Sequence, residues 1–372
     1  MLISVGCQRS EQSEYFPYNE THELVLTDTL ALPLSELSAP YYNNMQYLSS
    51  GTNEYLLGLN WINRNIEVYN INEESVDHII ELESNGPNGV GPIVQENSSF
   101  HALSLDSIFL LNQSQSRIYL INAKVEVIGY DVTNNDFGIA FSSLMNPSIA
   151  IGNSVLFPVR HDFEEGNVSD KHSLLIKNGL NDEIVFEKYL SESLNGFPYG
   201  LHNFFYEAQL CHFDNEHVLL SYPGLTTVEV HNLNSGSIRL VDVKDPEIGL
   251  PRTYDKEVKR SEGYKKEYNE FYLYADLYNQ ILKLSDDYFV RLVRYGDDPE
   301  IKGRYYHYSF LLLDNELRPI GRLDPVKGTY MHQFPYCFTD GKGAFYVFNS
   351  RKYHSNENFL HFDKLEVRAL DN

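Results

Sequence analysis

The chain repeats one arrangement of hydrophobic and polar positions, in which a β-rich strand is followed by a short polar turn and a second strand. Such runs, bounded by turn residues, are typical of β-structure. Each turn begins with Asn or Asp, which tolerate left-handed backbone angles and bond to their own turn. The six copies are Ile66–Asn70 with His78–Leu82, Arg117–Asn122 with Val125–Ile128, Leu174–Asn178 with Ile184–Phe186, Val228–Asn232 with Ile238–Val241, Phe310–Asp314 with Ile320–Leu323, and Phe359–Asp363 with Leu365–Arg368.

The spacing of these turns indicates how many units the chain contains. Successive turn residues are separated by 52, 56, 54, 82 and 49 residues. Five gaps give six units, and four of the gaps are close to the period of a four-stranded propeller blade. The long gap contains a highly charged stretch from Lys244 to Glu270, which we interpret as an insertion.

Each unit also has an apolar strand before the repeated pair, such as Tyr55–Leu59 or Tyr288–Val293, and a less regular strand before that. The sequence therefore predicts an all-β fold, a six-bladed β-propeller of four-stranded antiparallel blades that spans residues 21–372. Glu23–Leu34 is expected to be an extra strand that pairs with the last blade and closes the ring. The alternative is an all-β sandwich whose regularity is accidental.

Strand direction alone predicts where a site would lie. In a four-stranded antiparallel blade, the connections from the second to the third strand and from one blade to the next share one face, and the short Asn or Asp turns occupy the other. Longer, variable connections carry function more often than short turns. We therefore predict a ligand site at the mouth of the channel on the face with the longer connections.

Basic residues recur at this mouth, just after the second strand. An arginine ring in a chain this acidic would suit a carboxylate, sulfate or phosphate. The alternative is that these arginines form ordinary ion pairs between blades. The candidate ligand-binding residues are Arg64, Arg117, Arg160, His161, Tyr222, Arg294 and Arg351.

Two further segments belong to the same face. The charged insertion is either a lid over the mouth or a solvated flap. The turn-rich segment Asn85–Pro92 lacks the Lys-Ser/Thr end of a phosphate-binding loop and is expected to connect two blades. Aromatic residues at the mouth, including Tyr41 and Tyr42, could stack on a sugar, although packing between blades is the commoner use of such rings.

Composition restricts the possible partners. A formal net charge of −23 argues against nucleic acid, because phosphate backbones are bound by clustered Lys and Arg. After residue 7 no apolar run is long enough to span a bilayer. Cys211 and Cys337 have neither a CxxC partner nor metal spacing, so we expect both to be core residues.

The N-terminus predicts a membrane attachment of another kind. Leu2–Gly6 is short and apolar, ends in a small residue, and is followed by Cys7 and a polar run. This pattern resembles a bacterial lipobox, in which the thiol receives a diacylglyceryl group. Ser4 stands where Leu is preferred, and the basic start and most of the apolar region are missing. Residues 1–20 are expected to be a tether; the alternative is an N-terminus with a chance cysteine.

Cys7, the six units and the Gly-Pro-rich Asn85–Pro92 loop together resemble a family of uncharacterised bacterial lipoproteins with TolB-like six-bladed propellers. The likeness covers nearly the whole chain. It implies a propeller exposed at the cell envelope, on the outer membrane or cell surface, with no catalytic residues to carry over. The WD, kelch and sialidase signatures are absent, and Trp61 is the only tryptophan.

Two functions remain open at this point. The favoured one is a binding or scaffold module for an unknown extracellular or periplasmic ligand, an anionic glycan or a protein, without catalytic residues, cofactor or metal. The alternative is an envelope glycan hydrolase or lyase with a histidine and a carboxylate in the same mouth. The residues available for it are His161, His202, His332, His354, Asp162 and Asp297.

Overall fold

The computed structural model describes residues 13–35, 38, 40–95, 97–132, 139–140, 142–143, 146–152, 154–160, 171–177, 183–189, 208–248, 275–296, 307–325, 329–330 and 336–371. These residues form strands, one short 3-10 turn (Gln113–Gln115) and one short helix. Within them, no helix has the length and apolar character that crossing a membrane requires. The strands join in six sheets.

The chain begins with two strands that join sheets formed much later, β1 (Glu14–Tyr15) and β2 (His22–Pro33). Sheet 1 contains β3 (Tyr42–Ser50), β4 (Asn53–Asn60), β5 (Asn65–Asn70) and β6 (Ser75–Glu81). Sheet 2 contains β7 (Ser98–Ser104), β8 (Ser107–Asn112), β9 (Arg117–Ile121) and β10 (Val127–Val132). Sheet 3 contains β11 (Ile139–Ala140), β12 (Ile149–Ile151), β13 (Ser154–Arg160), β14 (Lys171–Lys177) and β15 (Glu183–Tyr189).

The second half of the chain repeats this arrangement. Sheet 4 contains β16 (Gln209–His212), β17 (His217–Ser221), β18 (Thr227–Asn232) and β19 (Ile238–Asp242), with β1 added in parallel to β19. Sheet 5 contains β20 (Leu277–Lys283), β21 (Tyr288–Tyr295), β22 (His307–Asp314) and β23 (Pro319–Leu323). Sheet 6 contains β24 (Cys337–Thr339), β25 (Ala344–Phe348) and β26 (Phe359–Ala369), and helix α1 (Ser350–Ser355) connects β25 to β26. The predicted propeller of four-stranded antiparallel blades is confirmed.

The polar turns between the third and fourth strands work as Asx turns. The side-chain oxygens of Asn70, Asn122, Asn232 and Asp314 accept backbone N–H groups two to four residues further on, at 2.7–3.2 Å. Positive φ occurs later in the turn, at the residues Glu74, Val125, Gly236 and Leu317.

The sixth copy of the repeat was predicted wrongly. Phe359–Ala369 is one continuous strand, so Asp363 begins no turn and is 4% exposed. The fourth strand of sheet 6 is β2, which pairs antiparallel with β26 from His22 with Ala369 to Pro33 with Phe359. The N-terminal strand therefore pairs with the last sheet as expected, but it completes that sheet rather than adding to it.

Residues before β2 cross the outer edges of two other sheets. Phe16 and Tyr18 pack against the core between sheets 4 and 5, and the N–H groups of Asn19 and Thr21 donate to carbonyls at the start of β23, at 3.1 and 2.9 Å. Gly321 permits this approach, since a Cβ there would lie 2.2 Å from the carbonyl oxygen of His22. The segment Glu14–Thr21, which we call the strap, thus belongs to the folded domain.

Apolar faces of adjacent sheets form the core, and Cys211 and Cys337 are buried in it as predicted. Polar side chains join the inner strands. Asn44 and Gln46 of β3 each exchange two hydrogen bonds with the backbone of β7, at 2.8–3.2 Å. These amides act as an additional ladder between two sheets whose described strands are not paired through their backbones.

His101 in β7 joins sheets 2 and 3 in a similar way. It is buried, and its Nδ1 donates to the carbonyl of Ser148 at 3.1 Å. Burial lowers the pKa of His101 to about 4, and the bond to Ser148 opposes this shift. The folded protein therefore holds this ring neutral.

We expect this histidine to make the protein less stable in acid. As the pH falls below about 6.5, the unfolded chain takes up a proton that the folded state accepts only near pH 4, so stability falls across this window and then levels off. His101 should account for a loss of about 2 kcal/mol between pH 7 and pH 5. In urea unfolding, His101→Gln should lose less stability by that amount than the unmodified protein. Replacement of the exposed His354 by Gln is the control, and an equal pH dependence in all three would contradict the expectation.

Candidate functional site

The register of the strands defines one face of the molecule. In sheet 1, Tyr42 at the start of β3 pairs with Asn60 at the end of β4, Asn60 pairs with Asn65 at the start of β5, and Asn65 pairs with Glu81 at the end of β6. The connection from the second to the third strand therefore lies beside the connections that enter and leave the sheet. We call this end of the sheets the connector face.

Two of the predicted arginines are exposed on this face. Arg64 ends the connection between β4 and β5, and its guanidinium has no hydrogen bond or ion pair within the described part of the chain. Arg351 is exposed on helix α1, the corresponding connection of sheet 6. These two side chains are accessible to a ligand.

The other predicted residues have different surroundings. The guanidinium of Arg117 lies 4.4 Å from the ring centroid of Tyr130. Arg294 is 1% exposed and donates to the carbonyl of Ala275 at 3.2 Å. Tyr222 is fully buried, and burial together with the charge of Glu229 raises its pKa.

Arg160 is the last residue of β13, and His161 lies outside the described residues. That all seven predicted residues converge on one mouth remains a prediction. His202, His332, Asp162 and Asp297, the residues named for a catalytic site, also lie outside the described residues, and His354 is exposed. The hydrolase or lyase alternative likewise stays a prediction. Among the described residues, no three His, Cys, Asp or Glu side chains group as metal ligands.

The side chain of Asn60 fixes the turn formed by residues Trp61–Arg64, which we call the tryptophan turn. The N–H groups of Ile62 and Asn63 donate to Asn60 Oδ1 at 3.1 and 3.2 Å. Arg64 has a φ of +57°, in the left-handed region that non-glycine residues rarely adopt. The turn therefore has a defined shape that its surroundings impose.

Asn60 is in turn fixed by a buried carboxylate. Glu67 in β5 is 1% exposed, and its Oε1 accepts from Asn60 Nδ2 at 3.2 Å and Ser38 Oγ at 2.7 Å. Its Oε2 accepts from the hydroxyls of Tyr42 and Tyr69, at 2.7 and 2.6 Å. Burial, followed by electrostatic effects of neighbours that include Glu67, raises the pKa of both tyrosines, so their hydroxyls remain donors. Four donors thus satisfy one buried carboxylate.

A second buried carboxylate fixes helix α1. Asp363 Oδ2 accepts from Asn349 Nδ2 at 2.8 Å and from the Tyr330 hydroxyl at 3.0 Å, and Oδ1 pairs with Lys352 Nζ at 2.7 Å. Asn349 is the N-cap of the helix, and its side chain accepts the N–H of Lys352 at 2.9 Å. Asp363 thereby determines how the helix presents Arg351.

The two exposed connections are neighbours across sheets 6 and 1. The hydroxyl of Tyr336, just before β24, accepts the N–H of Tyr42 at 3.3 Å and donates to the carbonyl of Pro40 at 3.0 Å. Tyr41 is 47% exposed and lies edge-on to Trp61, with 6.2 Å between ring centroids. Arginines and partly exposed aromatic rings therefore share this half of the connector face.

On sheet 4, by contrast, the same connection is buried. Residues 222–226 are all buried, and a residue that sequence reasoning missed holds them in place. Arg291 of β21 is fully buried and donates to the carbonyls of Leu225, Thr226 and Val243 and to Ser221 Oγ, at 2.6–2.8 Å. Burial lowers the pKa of Arg291 to about 10, so it is still protonated at neutral pH. The only signal in the sequence was a charged residue within an apolar strand.

Comparisons with known proteins give the chain a family and structural neighbours. A family model described as "Domain of unknown function (DUF4221)" matches residues 21–321. A DUF4221 protein from Bacteroides vulgatus ATCC 8482 is 15% identical, with a TM-score of 0.72 over 95% of this chain and 100% of that one. The protein BF0058 from Bacteroides fragilis NCTC 9343 is 13% identical, with a TM-score of 0.54 over 96% and 99%. No curated protein matches the chain. At these identities the neighbours show the fold alone.

We expect Arg291 to be critical for stability. In Arg291→Lys, a single ammonium group replaces a planar fork with fixed donors, so buried carbonyls lose their partners at about 1–3 kcal/mol each. The free energy of unfolding should fall by about 2–4 kcal/mol in denaturant titrations. Arg368→Lys is the matched control, since Arg368 forms an exposed ion pair with Glu23 and should be nearly neutral. Equal losses in the two variants would show that the bonds of Arg291 do not carry this stability.

Proposed function

The chain belongs to the DUF4221 family, and we propose that its propeller is a ligand-binding module of the bacterial cell envelope, anchored by a lipid on Cys7. The ligand we propose is an anionic glycan, bound on the half of the connector face formed by sheets 6 and 1. One observation carries this proposal: two neighbouring connections, each fixed by a buried carboxylate, expose arginines beside aromatic rings.

Electrostatics supports an anionic ligand. With a net charge of −23 the molecule repels anions in general, so Arg64, exposed and without a carboxylate partner among the described residues, is a local exception. Arginine donates two parallel bonds to carboxylates and sulfates. The rings of Trp61, in the same turn, and Tyr41 offer apolar faces with a polar edge, which suit the faces of sugars.

We further infer that six blades close the ring, one from each sheet. The inner strands of successive sheets touch one another, β3 with β7, β12 with β16, β16 with β20, β20 with β24, and β24 with β3. The hydrogen bond of His101 to Ser148 joins sheets 2 and 3. Pairing of β2 with β26 ties the two ends of the chain together, which supports a closed ring.

Binding to the connector face is testable with a panel of glycans and small anions. We expect acidic glycans to bind the intact protein and to bind more weakly as the salt concentration rises. Arg64→Ala and Arg351→Ala should each weaken binding by about tenfold, measured by calorimetry, because each removes a charge-assisted bond. Arg318→Ala is the control, since Arg318 is exposed at a turn on the opposite face. Equal affinities in all four proteins would exclude this half of the face.

Lipid attachment is tested separately in the bacterial host. With an alkyne-bearing fatty acid in the medium, we expect the protein to become labelled and to sediment with membranes. Cys7→Ser should lose both properties, because the thiol is the atom that receives the diacylglyceryl group. Cys211→Ser is the control and should keep the label. A labelled Cys7→Ser protein, or an unlabelled parent, would contradict lipid attachment at Cys7.

A further inference from the structure

We propose that the tryptophan turn is a specific subsite for a uronic acid residue of the glycan. Trp61 and Tyr41 bind the apolar face of the sugar, Arg64 binds its carboxylate, and buried Glu67 is a positioning residue that fixes the turn. This inference rests on the proposed function and adds to it the chemical class of the sugar and the place where it binds.

The apolar part of the subsite is exposed although the turn is well ordered by its bonds. Ile62 and Tyr41 are 45% and 47% exposed, and Trp61 is partly buried against the core that sheets 1 and 2 share. Large apolar side chains grouped on a surface indicate a binding site more often than isolated ones do. The edge-on contact of Tyr41 with Trp61 provides two rings at an angle, which can contact a sugar from two sides.

The polar part comes from Arg64. Its guanidinium is exposed and unpaired within the described residues, and its backbone is held at a φ of +57°. The N–H of Leu82 donates to the Arg64 carbonyl at 3.1 Å, which ties the end of the turn to the exit of β6. A cation in the same turn as Trp61 matches a sugar that carries a carboxylate, whereas a neutral sugar would leave the charge unused.

Glu67 connects the core to the subsite through Asn60, whose Oδ1 accepts two N–H groups of the turn. Gly58 is part of this support, since a Cβ there would lie 2.6 Å from the Tyr42 ring whose hydroxyl donates to Glu67. Removing the carboxylate would keep the residues of the turn that contact the sugar, but the conformation of the turn would no longer be fixed. The expected cost is therefore a loss of affinity rather than a loss of contact groups.

Sheet 4 offers a matched control for this role. Glu229 in Val228–Asn232 occupies the same place in the repeat as Glu67 in Ile66–Asn70, and both are 1% exposed. Glu229 Oε2 lies 2.9 Å from Nε2 of buried His231, and the connection of its sheet is buried rather than exposed. Glu229→Gln should therefore affect stability without affecting the subsite.

The experiment uses trigalacturonate as the probe and the neutral galactotriose as its counterpart. Trp61 is the only tryptophan, so its fluorescence reports directly on the turn. We expect trigalacturonate to change this emission and galactotriose to bind at least tenfold more weakly in calorimetry. Arg64→Gln should remove the preference for the acidic sugar, and Tyr41→Ala should weaken both sugars.

Glu67→Gln should weaken trigalacturonate binding by about tenfold and shift the Trp61 emission of the free protein towards longer wavelength. Glu229→Gln should keep the affinity and emission of the unmodified protein. Should Glu67→Gln fail to fold, Asn60→Ser tests the same link, because it shortens the acceptor of the turn N–H groups while Glu67 stays in place.

The outcomes separate this inference from the function on which it rests. If acidic glycans bind but Arg64→Gln, Glu67→Gln and Asn60→Ser bind them as the parent does, the subsite is overturned and the binding module stands. Equal affinity for the acidic and neutral sugars overturns the role of Arg64. If no anionic glycan binds the intact protein, the proposed function falls, and the subsite falls with it.

Discussion

The carboxylate of Glu67 is the group on which the exposed half of the connector face depends. Its four donors come from the connection that precedes sheet 1 and from three of the four strands of that sheet, at 2.6–3.2 Å. A buried carboxylate is costly unless it is fully hydrogen-bonded. Each donor is therefore constrained by the others. Asn60 extends this constraint to the tryptophan turn, because it bonds both to Glu67 and to two N–H groups of the turn. Asp363 has the same relation to helix α1, so two neighbouring connections are rigid for the same physical reason.

On sheet 4 the connection between the second and third strands is fixed by a residue of the opposite charge, Arg291. There the connection is buried, its carbonyls need donors, and one guanidinium supplies them to three carbonyls and a hydroxyl. The stacked ring of Tyr278, with its centroid 4.4 Å from the guanidinium carbon, adds a contact to the cation. Carboxylates thus organise connections that are open to solvent, and an arginine organises one that is covered. This division supports the proposed binding site at sheets 6 and 1.

Much of the fold could be predicted from the sequence, because the Asx turns recur at a blade-sized period and each turn forms by local bonds. The prediction of a sixth turn, at Asp363, was wrong because of tertiary interactions. Asp363 ends the apolar run Phe359–Asp363, as the turn residues of the other copies end theirs, but pairing with β2 continues the strand β26 through it. In the folded protein its carboxylate bonds to Asn349, Lys352 and Tyr330. The site was less predictable. The sequence analysis placed Arg64 and Arg294 alike, just after a second strand, but Arg64 lies in the exposed turn after β4, whereas Arg294 lies within β21 and is buried.

The strap connects the folded domain to the proposed anchor, so a force on the anchor would act on the fold through the strap. β1 pairs with only two residues of β19, whereas β2 pairs with β26 along its whole length. Glu14 is the seventh residue after Cys7, which allows a reach of roughly 25 Å when this segment is extended. Tension on a lipid at Cys7 would therefore first act on β1 and the Glu14–Arg239 ion pair, 3.2 Å apart, and only then on the packed rings of Phe16 and Tyr18. Because eleven residue pairs hold β2 to β26, we expect this pairing to persist while the outer contacts yield.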